Sequence, residues 1–308
     1  MPRSAQTASL LPKPRTWFGK EIATLYPGCF ALVMATGIIS NGLLFEGHRQ
    51  WSDALFAINS VAYPWLMVLT VVRFVRFRQA AWSDLVNPRL VFSFFTIVAG
   101  TDVFGIGLDL RGHATAALCL WLFALLVWLV LIYFSFAVLT FLNTAVGADV
   151  IHGAWLNAID VGPDDITPLL WVVMGAAAIS TNAGSVLIAT DSAMPFLNAM
   201  RPFIDGVTLT MWAWATWWIP LLLFLGVWKH GVRRVPLTYT PMLWSLVFPL
   251  GMYALASLRL SLAADFPPLS AISGVMVWVA LAAWAATAAG LVATSWLSFR
   301  DFKRLSAR

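Results

Sequence analysis

Residues 244–258 read WSLVFPLGMYALASL, and this stretch governs how the rest of the sequence is interpreted. It is apolar and belongs to a run long enough to cross a membrane as a helix. Pro249 lacks a backbone donor and pushes away the carbonyl of Ser245, so the stretch predicts a kinked helix. In lipid that carbonyl needs a partner in the protein or in a water-filled cavity. The break at residues 248–251 therefore indicates either a place where a solute binds or passes, or a packing kink, since proline and glycine are frequent in membrane helices.

The composition places the whole chain in a membrane. Of its 308 residues, 60% are hydrophobic and 11% are charged, whereas soluble domains carry about 25% charged residues. The apolar residues fall in runs of about 20, the length of a transmembrane helix. The sequence therefore predicts an all-α, polytopic membrane bundle, with the 17 tryptophans supplying an aromatic belt near the membrane surfaces.

Eight transmembrane helices are predicted, forming a single bundle over residues 26–298 between an N-terminal tail (1–25) and a C-terminal tail (299–308). The predicted spans are 27–45, 54–72, 90–108, 114–139, 168–189, 203–228, 241–262 and 269–297. Residues 140–167 contain four aspartates, and a charge at the bilayer centre costs about 2.5–3.5 kcal/mol even on insertion scales. This segment is therefore interpreted as a loop, with an interfacial or re-entrant turn around Trp155.

Lysine and arginine indicate the orientation, because cytoplasmic loops carry an excess of them. They are concentrated in the N-terminal tail, after the second and sixth spans, and in the C-terminal tail. Both termini are therefore predicted to be cytoplasmic, in a protein integral to the cell membrane. These basic residues are confined to short loops and chain ends, so no nucleic-acid surface is expected.

Five phrases of the sequence together resemble one family. They are VMATGIIS (33–40), VAGTDVFG (98–105), MGAAAIS (174–180), WATWWIPLL (214–222) and WSLVFPLGMYA (244–254). In this order they resemble the tellurite-resistance/dicarboxylate transporter family, whose relatives include bacterial tellurite-resistance permeases, malate transporters and plant slow anion channels. The resemblance extends over most of residues 27–297.

The resemblance implies ten helices in five hairpins, with the odd-numbered helices around a central pore, and assembly as a homotrimer. A phenylalanine on the kinked ninth helix of relatives closes the pore. Phe248 occupies the matching position here, with Pro249 and Gly251 forming the bend of the gate helix. The sequence departs from the family pattern because two spans are missing near residues 140–167, where GAWL at 153–156 does not open a full apolar span.

The resemblance therefore implies a permease or channel for small anions, with an aromatic gate on a proline-kinked helix. The substrate would be a C4-dicarboxylate such as malate, or an inorganic anion such as chloride, nitrate, sulfite or tellurite. The missing pair of helices motivates a second hypothesis, a family member that does not transport and acts as a membrane scaffold or partner subunit. No cofactor and no enzymatic activity are expected, since the sequence has no phosphate-binding glycine loop with a lysine and its histidines lack the spacing of metal ligands.

Several polar residues in the predicted spans are candidates for the pore lining. Ser180, Thr181 and Asn182 on the fifth span, and Ser40 and Asn41 on the first, could donate hydrogen bonds to an anion. The alternative is that they hydrogen-bond to neighbouring helices, which such residues commonly do in membranes.

Three charged residues lie within predicted spans, and two of them, Asp102 and Arg259, are considered as candidates for a site. Membrane acids often carry protons or balance other charges, so Asp102 is a candidate proton or counter-ion site; the alternative is an interfacial helix end beside Gly105 and Gly107. Arg259 could attract anions at a pore mouth, or its side chain could extend to the membrane surface.

Overall fold

A computed structural model describes residues 16–88, 90–146, 166–190 and 194–306, and within these ranges all regular structure is helical. Residues 147–165, which hold most of the predicted loop, the GAWL phrase and Trp155, lie outside the described part of the chain. The prediction of an interfacial or re-entrant turn there therefore stays a prediction.

The described residues form eleven α-helices. In chain order these are α1 (Trp17–Ala23), α2 (Ala31–Phe45), α3 (Arg49–Arg76), α4 (Arg78–Leu85), α5 (Phe95–Asp109), α6 (Ala114–Val146), α7 (Trp171–Ala189), α8 (Pro195–Ala199), α9 (Arg201–Val227), α10 (Trp244–Ala263) and α11 (Pro268–Ser306). Short 3₁₀ turns precede α5, α7 and α10, and a π turn, Trp228–Val232, follows α9.

Seven helices in the described residues are long and apolar enough to cross a membrane. The remaining one of the eight predicted spans corresponds to α2, which is apolar but has only 15 residues and is therefore shorter than the other seven. The prediction of a polytopic, all-helical membrane protein is confirmed. The span boundaries and the single bundle remain predictions, because length and composition alone do not locate the membrane surfaces.

The chain divides into two compact units, and the first comprises residues 1–33, 59–158 and 292–308. In its described part α5 packs along α6, and Phe94, Val98, Ala124 and Leu131 form a buried core between them. Because α5 and α6 are joined by only four residues, they form an antiparallel hairpin.

The second unit comprises residues 34–58 and 159–291, and α10 is the most buried of its helices that are long enough to cross a membrane. In the most apolar stretch of α10, 78% of the residues are buried, compared with 11% for α9 and 17% for α11. α10 packs against α7, and α7 packs in turn against α9. α10 is therefore enclosed by protein, whereas α9 and α11 keep most of their apolar surface exposed, as helices that face lipid do.

Two helices, α6 and α11, are longer than the transmembrane spans predicted for them. α6 continues to Val146, beyond the expected end at residue 139, and α11 continues to Ser306 through most of the predicted C-terminal tail. The C-terminal extension has a partner, since Trp17 Nε1 donates to Ser298 Oγ at 3.1 Å and Ser298 Oγ donates to Glu21 at 2.8 Å. Contact with α1 thus stabilises α11 at the point where composition alone predicted that the helix ends and the C-terminal tail begins.

Candidate functional site

The candidate site is centred on α10, around Phe248. Phe248 is only 8% exposed, and Pro249 beside it is buried inside the helix. Pro249 cannot donate to the carbonyl of Ser245, so one turn of a deeply buried helix lacks a backbone hydrogen bond. The ring of Phe248 therefore lies within protein and does not face the acyl chains.

Glycine lets α7 approach α10 closely at the proline. A β-carbon built on Gly175 would lie 2.9 Å from Cγ and 3.2 Å from Cβ of Pro249. Real β-carbons do not tolerate the shorter of these distances, and the pyrrolidine ring cannot rotate away. Gly175 is therefore required for the proline to lie against α7.

A second glycine lets α2 approach α10 three residues after Phe248. A β-carbon on Gly251 would lie 2.8 Å from Cγ2 of Ile38 and 2.9 Å from Cγ1 of Ile39. Both isoleucines are buried, at 3% and 0% exposure, so neither side chain has space to move into. Small residues permit such close helix approaches in membrane proteins, and here they bring α7 and α2 against α10 within three residues after Phe248.

Polar contacts with α9 hold the second half of α10. Trp212 Nε1 donates to Ser257 Oγ at 2.9 Å, and the hydroxyls of Thr216 and Tyr253 are hydrogen-bonded at 2.8 Å. The rings of Trp212 and Tyr253 also stack, with centroids 6.2 Å apart and an 18° angle. The sequence places Trp212 among aromatic residues of a lipid-facing helix, yet it bonds to α10. The sequence does carry one signal for these contacts: Trp212 and Thr216 are four residues apart on α9, as are Tyr253 and Ser257 on α10, so each pair shares one face of its helix.

The three polar candidates on α7 face different directions, because successive helical residues are 100° apart. Ser180 is exposed and donates to the carbonyl of Ala176, while Thr181 is fully buried and donates to the carbonyl of Ala177 at 3.0 Å. Asn182 is half-buried, and its Oδ1 is buried with no donor among the described residues. Of these three residues, Asn182 is thus the one whose buried side-chain oxygen accepts no hydrogen bond from the described residues.

On α2, Ser40 bonds to the neighbouring helix α3. Its Oγ donates to the carbonyl of Ser52 at 2.7 Å, and Ser52 Oγ donates to the carbonyl of Ser40 at the same distance. This reciprocal pair matches the alternative of a helix–helix hydrogen bond and engages both hydroxyl protons. Asn41, next along the chain, is 1% exposed.

Asp102 lies in α5, in the first unit, within a small polar cluster. It is half-buried, and its Oδ1 is buried without a hydrogen-bond donor among the described residues. The adjacent Thr101 donates to the carbonyl of Ile97 at 2.7 Å and accepts from the hydroxyl of Tyr63 at 3.1 Å. Asp102 is thus an acid on a membrane-spanning helix, and one of its oxygens is buried without a hydrogen bond in the described residues.

Arg259, towards the C-terminal end of α10, is half-buried. Its guanidinium lies 5.0 Å from the centroid of the Phe45 ring, within the range of a cation–π contact. Glu46, which follows Phe45, accepts a hydrogen bond from Ser273 of α11. The structure thus places both a cation and an acid near this end of α2 and α10.

These features define a polytopic helical membrane protein in which the most buried of the seven long apolar helices carries an internal proline and is approached closely at small residues. The chain belongs to the voltage-dependent anion channel (SLAC1) family, whose profile matches residues 24–159 and 158–292. The match spans nearly all of the predicted bundle and confirms the resemblance derived from the five sequence phrases. The chain is therefore an integral membrane protein of a family of anion channels and transporters.

Similar proteins agree with this assignment. An uncharacterized membrane protein of Mycobacterium tuberculosis is 43% identical over 147 residues, which is 48% of this chain and 73% of that protein. An uncharacterized transporter of Methanocaldococcus jannaschii is 23% identical over 327 aligned positions, covering 86% of this chain and 92% of the transporter. No solved structure matches the chain significantly.

Proposed function

We propose that this protein is a permease or channel for small anions, with Phe248 as the gate of its pathway. The observation that carries the proposal is the buried Phe248 beside Pro249 on the most buried of the long apolar helices. An aromatic side chain can block a narrow pathway and open it by changing rotamer, and the missing backbone bond at Pro249 gives the helix a local freedom that an unbroken helix lacks.

The proposed substrates are a C4-dicarboxylate such as malate, or chloride, nitrate, sulfite or tellurite. The described part of α10 carries one basic residue, Arg259, and no acid. A pathway lined mainly by apolar and weakly polar groups binds an anion weakly, which suits conduction because the ion must also leave. The amide nitrogen of Asn182 has two N–H groups that can donate to an anion. Its Oδ1 is buried and accepts no hydrogen bond from the described residues.

Asp102 is proposed as a proton or counter-ion site of the transport cycle. Its support is the buried oxygen without a donor in the described residues. A protonated carboxyl would not repel an anion, whereas a charged one would. If Asp102 carries the proton, Asp102→Asn abolishes the stimulation of anion uptake by an inward proton gradient; unchanged stimulation would contradict this role.

We also propose that both termini face the cytoplasm and that the protein forms a homotrimer. The orientation rests on the alternation of basic and non-basic loops. The trimer rests on the family and on α6, in whose most apolar stretch only 6% of the residues are buried. Labelling of a cysteine at either terminus in right-side-out vesicles tests the first, and light scattering of the purified protein tests the second.

The direct test is uptake into liposomes containing the purified protein, with malate, chloride, nitrate, sulfite and tellurite supplied one at a time. The proposal predicts uptake of at least one of these anions above empty liposomes. Absence of uptake for all of them would contradict it and would favour the alternative, a scaffold or partner subunit.

Single cysteines along α2, α7 and α10 discriminate further between the two functions. Reactivity towards a water-soluble thiol reagent with a helical period indicates a pathway, because only one face of each helix would meet water. Uniform protection of all three helices indicates a scaffold. Cys29 and Cys119 are free thiols in the structure and must be replaced first.

A further inference from the structure

A groove of about 620 Å³ lies in the second unit, where α9 ends and α7 and α10 begin. Its volume is within the range of about 300–1,000 Å³ that is typical of ligand sites. Leu222 and Leu223 of α9 and Leu243 and Leu246 near the start of α10 contribute to its walls. The walls are therefore suited to hydrocarbon and extend along helices that are long enough to cross the membrane.

A lysine and a histidine lie at one end of these apolar walls. Lys229 and His230, on the π turn after α9, both line the groove, and no acidic residue does among the described residues that line it. The Nζ of Lys229 donates to the carbonyl of Ile166 at 2.8 Å, and Nδ1 of His230 lies 2.8 Å from the carbonyl oxygen of Val235. These bonds place the two side chains at the groove, and Lys229 has two further ammonium protons to donate.

Two helix starts meet the groove at the same end. Thr167 and Thr240 are the N-caps of the turns that lead into α7 and α10, and both line the groove. Neither threonine side chain makes a capping hydrogen bond. Each helix start carries a partial positive charge and backbone N–H groups, which favour an anion. One end of the groove is thus positive while its walls are apolar.

We propose that this groove is a binding site for an anionic phospholipid, with the phosphate headgroup at Lys229, His230 and the starts of α7 and α10, and an acyl chain along Leu222, Leu223 and Leu246. A small soluble anion would leave the leucine walls exposed, whereas a zwitterionic lipid would not use the excess positive charge. An anionic lipid satisfies both parts. On the orientation proposed above, it belongs to the cytoplasmic leaflet, where juxtamembrane basic residues recognise anionic headgroups.

Gly226 provides a variant that tests occupancy of the groove. It lines the groove, and a β-carbon on it would meet nothing within 4 Å. Gly226→Leu therefore places a side chain in the proposed acyl-chain position and also suits a helix better than glycine does. Gly206, on the same helix but outside the groove, has equally open space, so Gly206→Leu is the matched control.

The experiment measures thermal unfolding of the delipidated protein in detergent, with phosphatidylglycerol, phosphatidylcholine or inorganic phosphate added separately. The wild type and Gly206→Leu are expected to be stabilised by phosphatidylglycerol at concentrations where phosphatidylcholine and phosphate have no effect. Gly226→Leu is expected to keep its unfolding temperature without lipid and to lose the shift. Lys229→Gln is expected to need about fivefold more phosphatidylglycerol for the same shift.

Three results would overturn the proposal. Equal stabilisation by the two lipids would show that headgroup charge is not recognised, and equal stabilisation by inorganic phosphate would identify a soluble-anion site. A lower unfolding temperature of Gly226→Leu without lipid, with Gly206→Leu unaffected, would show that another part of the chain occupies the groove. None of these readouts depends on transport, so they are separate from the test of the proposed function.

Discussion

Gly175 of α7 faces Pro249 of α10 so closely that a β-carbon on the glycine would lie 2.9 Å from the proline Cγ. The proline ring is rigid and cannot change rotamer to avoid a neighbour, and glycine, which has no β-carbon, leaves room for it. This contact also lies next to Phe248, so the position of the proposed gate depends on a contact between two other residues. The packing of α7 against the proline is therefore part of the site.

Gly175→Ala should destabilise the protein. The added methyl group forces either the proline ring or α7 to move, and such overpacking costs about 1–3 kcal/mol. Gly206→Ala on α9 is the control, because its β-carbon would meet nothing within 4 Å and alanine favours a helix over glycine by up to about 1 kcal/mol. Thermal unfolding in detergent should fall for the first variant and stay equal or rise for the second.

Gly251→Ala should have a similar effect through α2. Its methyl group would lie 2.8–2.9 Å from side-chain carbons of Ile38 and Ile39, which are both buried. Gly274→Ala on α11, where the added carbon meets nothing within 4 Å, is the control. An unfolding temperature for Gly251→Ala as high as that of Gly274→Ala would show that α2 and α10 do not pack as closely as described.

Ser40 and Ser52 should contribute independently to stability. Each hydroxyl donates to the backbone carbonyl of the other residue at 2.7 Å, so removing either one loses a buried bond worth about 0.6 kcal/mol on average in membrane proteins. Because alanine keeps the accepting carbonyl, the double variant Ser40→Ala/Ser52→Ala should lose about the sum of the two single losses, with anion selectivity unchanged. A Ser40→Ala variant that is as stable as the wild type, or that alters selectivity, would instead place Ser40 in the pathway.

Asp84→Asn should be the most destabilising charge-removing substitution among the described ion pairs. Arg73 is 4% exposed and pairs with Asp84, and removing one partner of a buried pair leaves an uncompensated charge that costs about 3–5 kcal/mol. In the exposed pair of Arg201 and Asp205 the side chains are 42% and 50% exposed, so Asp205→Asn should cost less than about 0.5 kcal/mol. Chemical denaturation in detergent compares the two, and equal losses would contradict the buried pair.

The sequence predicted the class of fold because membrane insertion depends on composition and length, both of which can be read directly. The apolar runs along the chain and the proline inside residues 244–258 can be read in the same way. The shorter α2 and the longer α6 and α11 did not, because tertiary contacts such as that of Trp17 with Ser298 decide where a helix ends. The family could be recognised from five short sequence phrases, which are specific to it only when they occur together and in order.

The contacts that fix the candidate site were much less accessible from the sequence. Gly175 and Gly251 could be read as small residues that allow a close approach, but their partners lie 74 and more than 200 positions away. Ser40 is a pore candidate in the sequence, which does not show that its hydroxyl donates to the carbonyl of Ser52. The sequence predicts an aromatic belt from its tryptophans, but it does not show that Ser257 lies within hydrogen-bond distance of Trp212.

The most direct measurement of the central claim compares anion efflux from liposomes containing the wild type, Phe248→Ala or Leu258→Ala. Phe248 and Leu258 lie on the same helix and are both 8% exposed, and truncating either removes a comparable buried contact, worth about 2–5 kcal/mol. If Phe248 closes the pathway, Phe248→Ala conducts at a higher rate than the wild type while Leu258→Ala does not. Equal rates in Phe248→Ala and the wild type, or the same increase in both variants, would contradict the account.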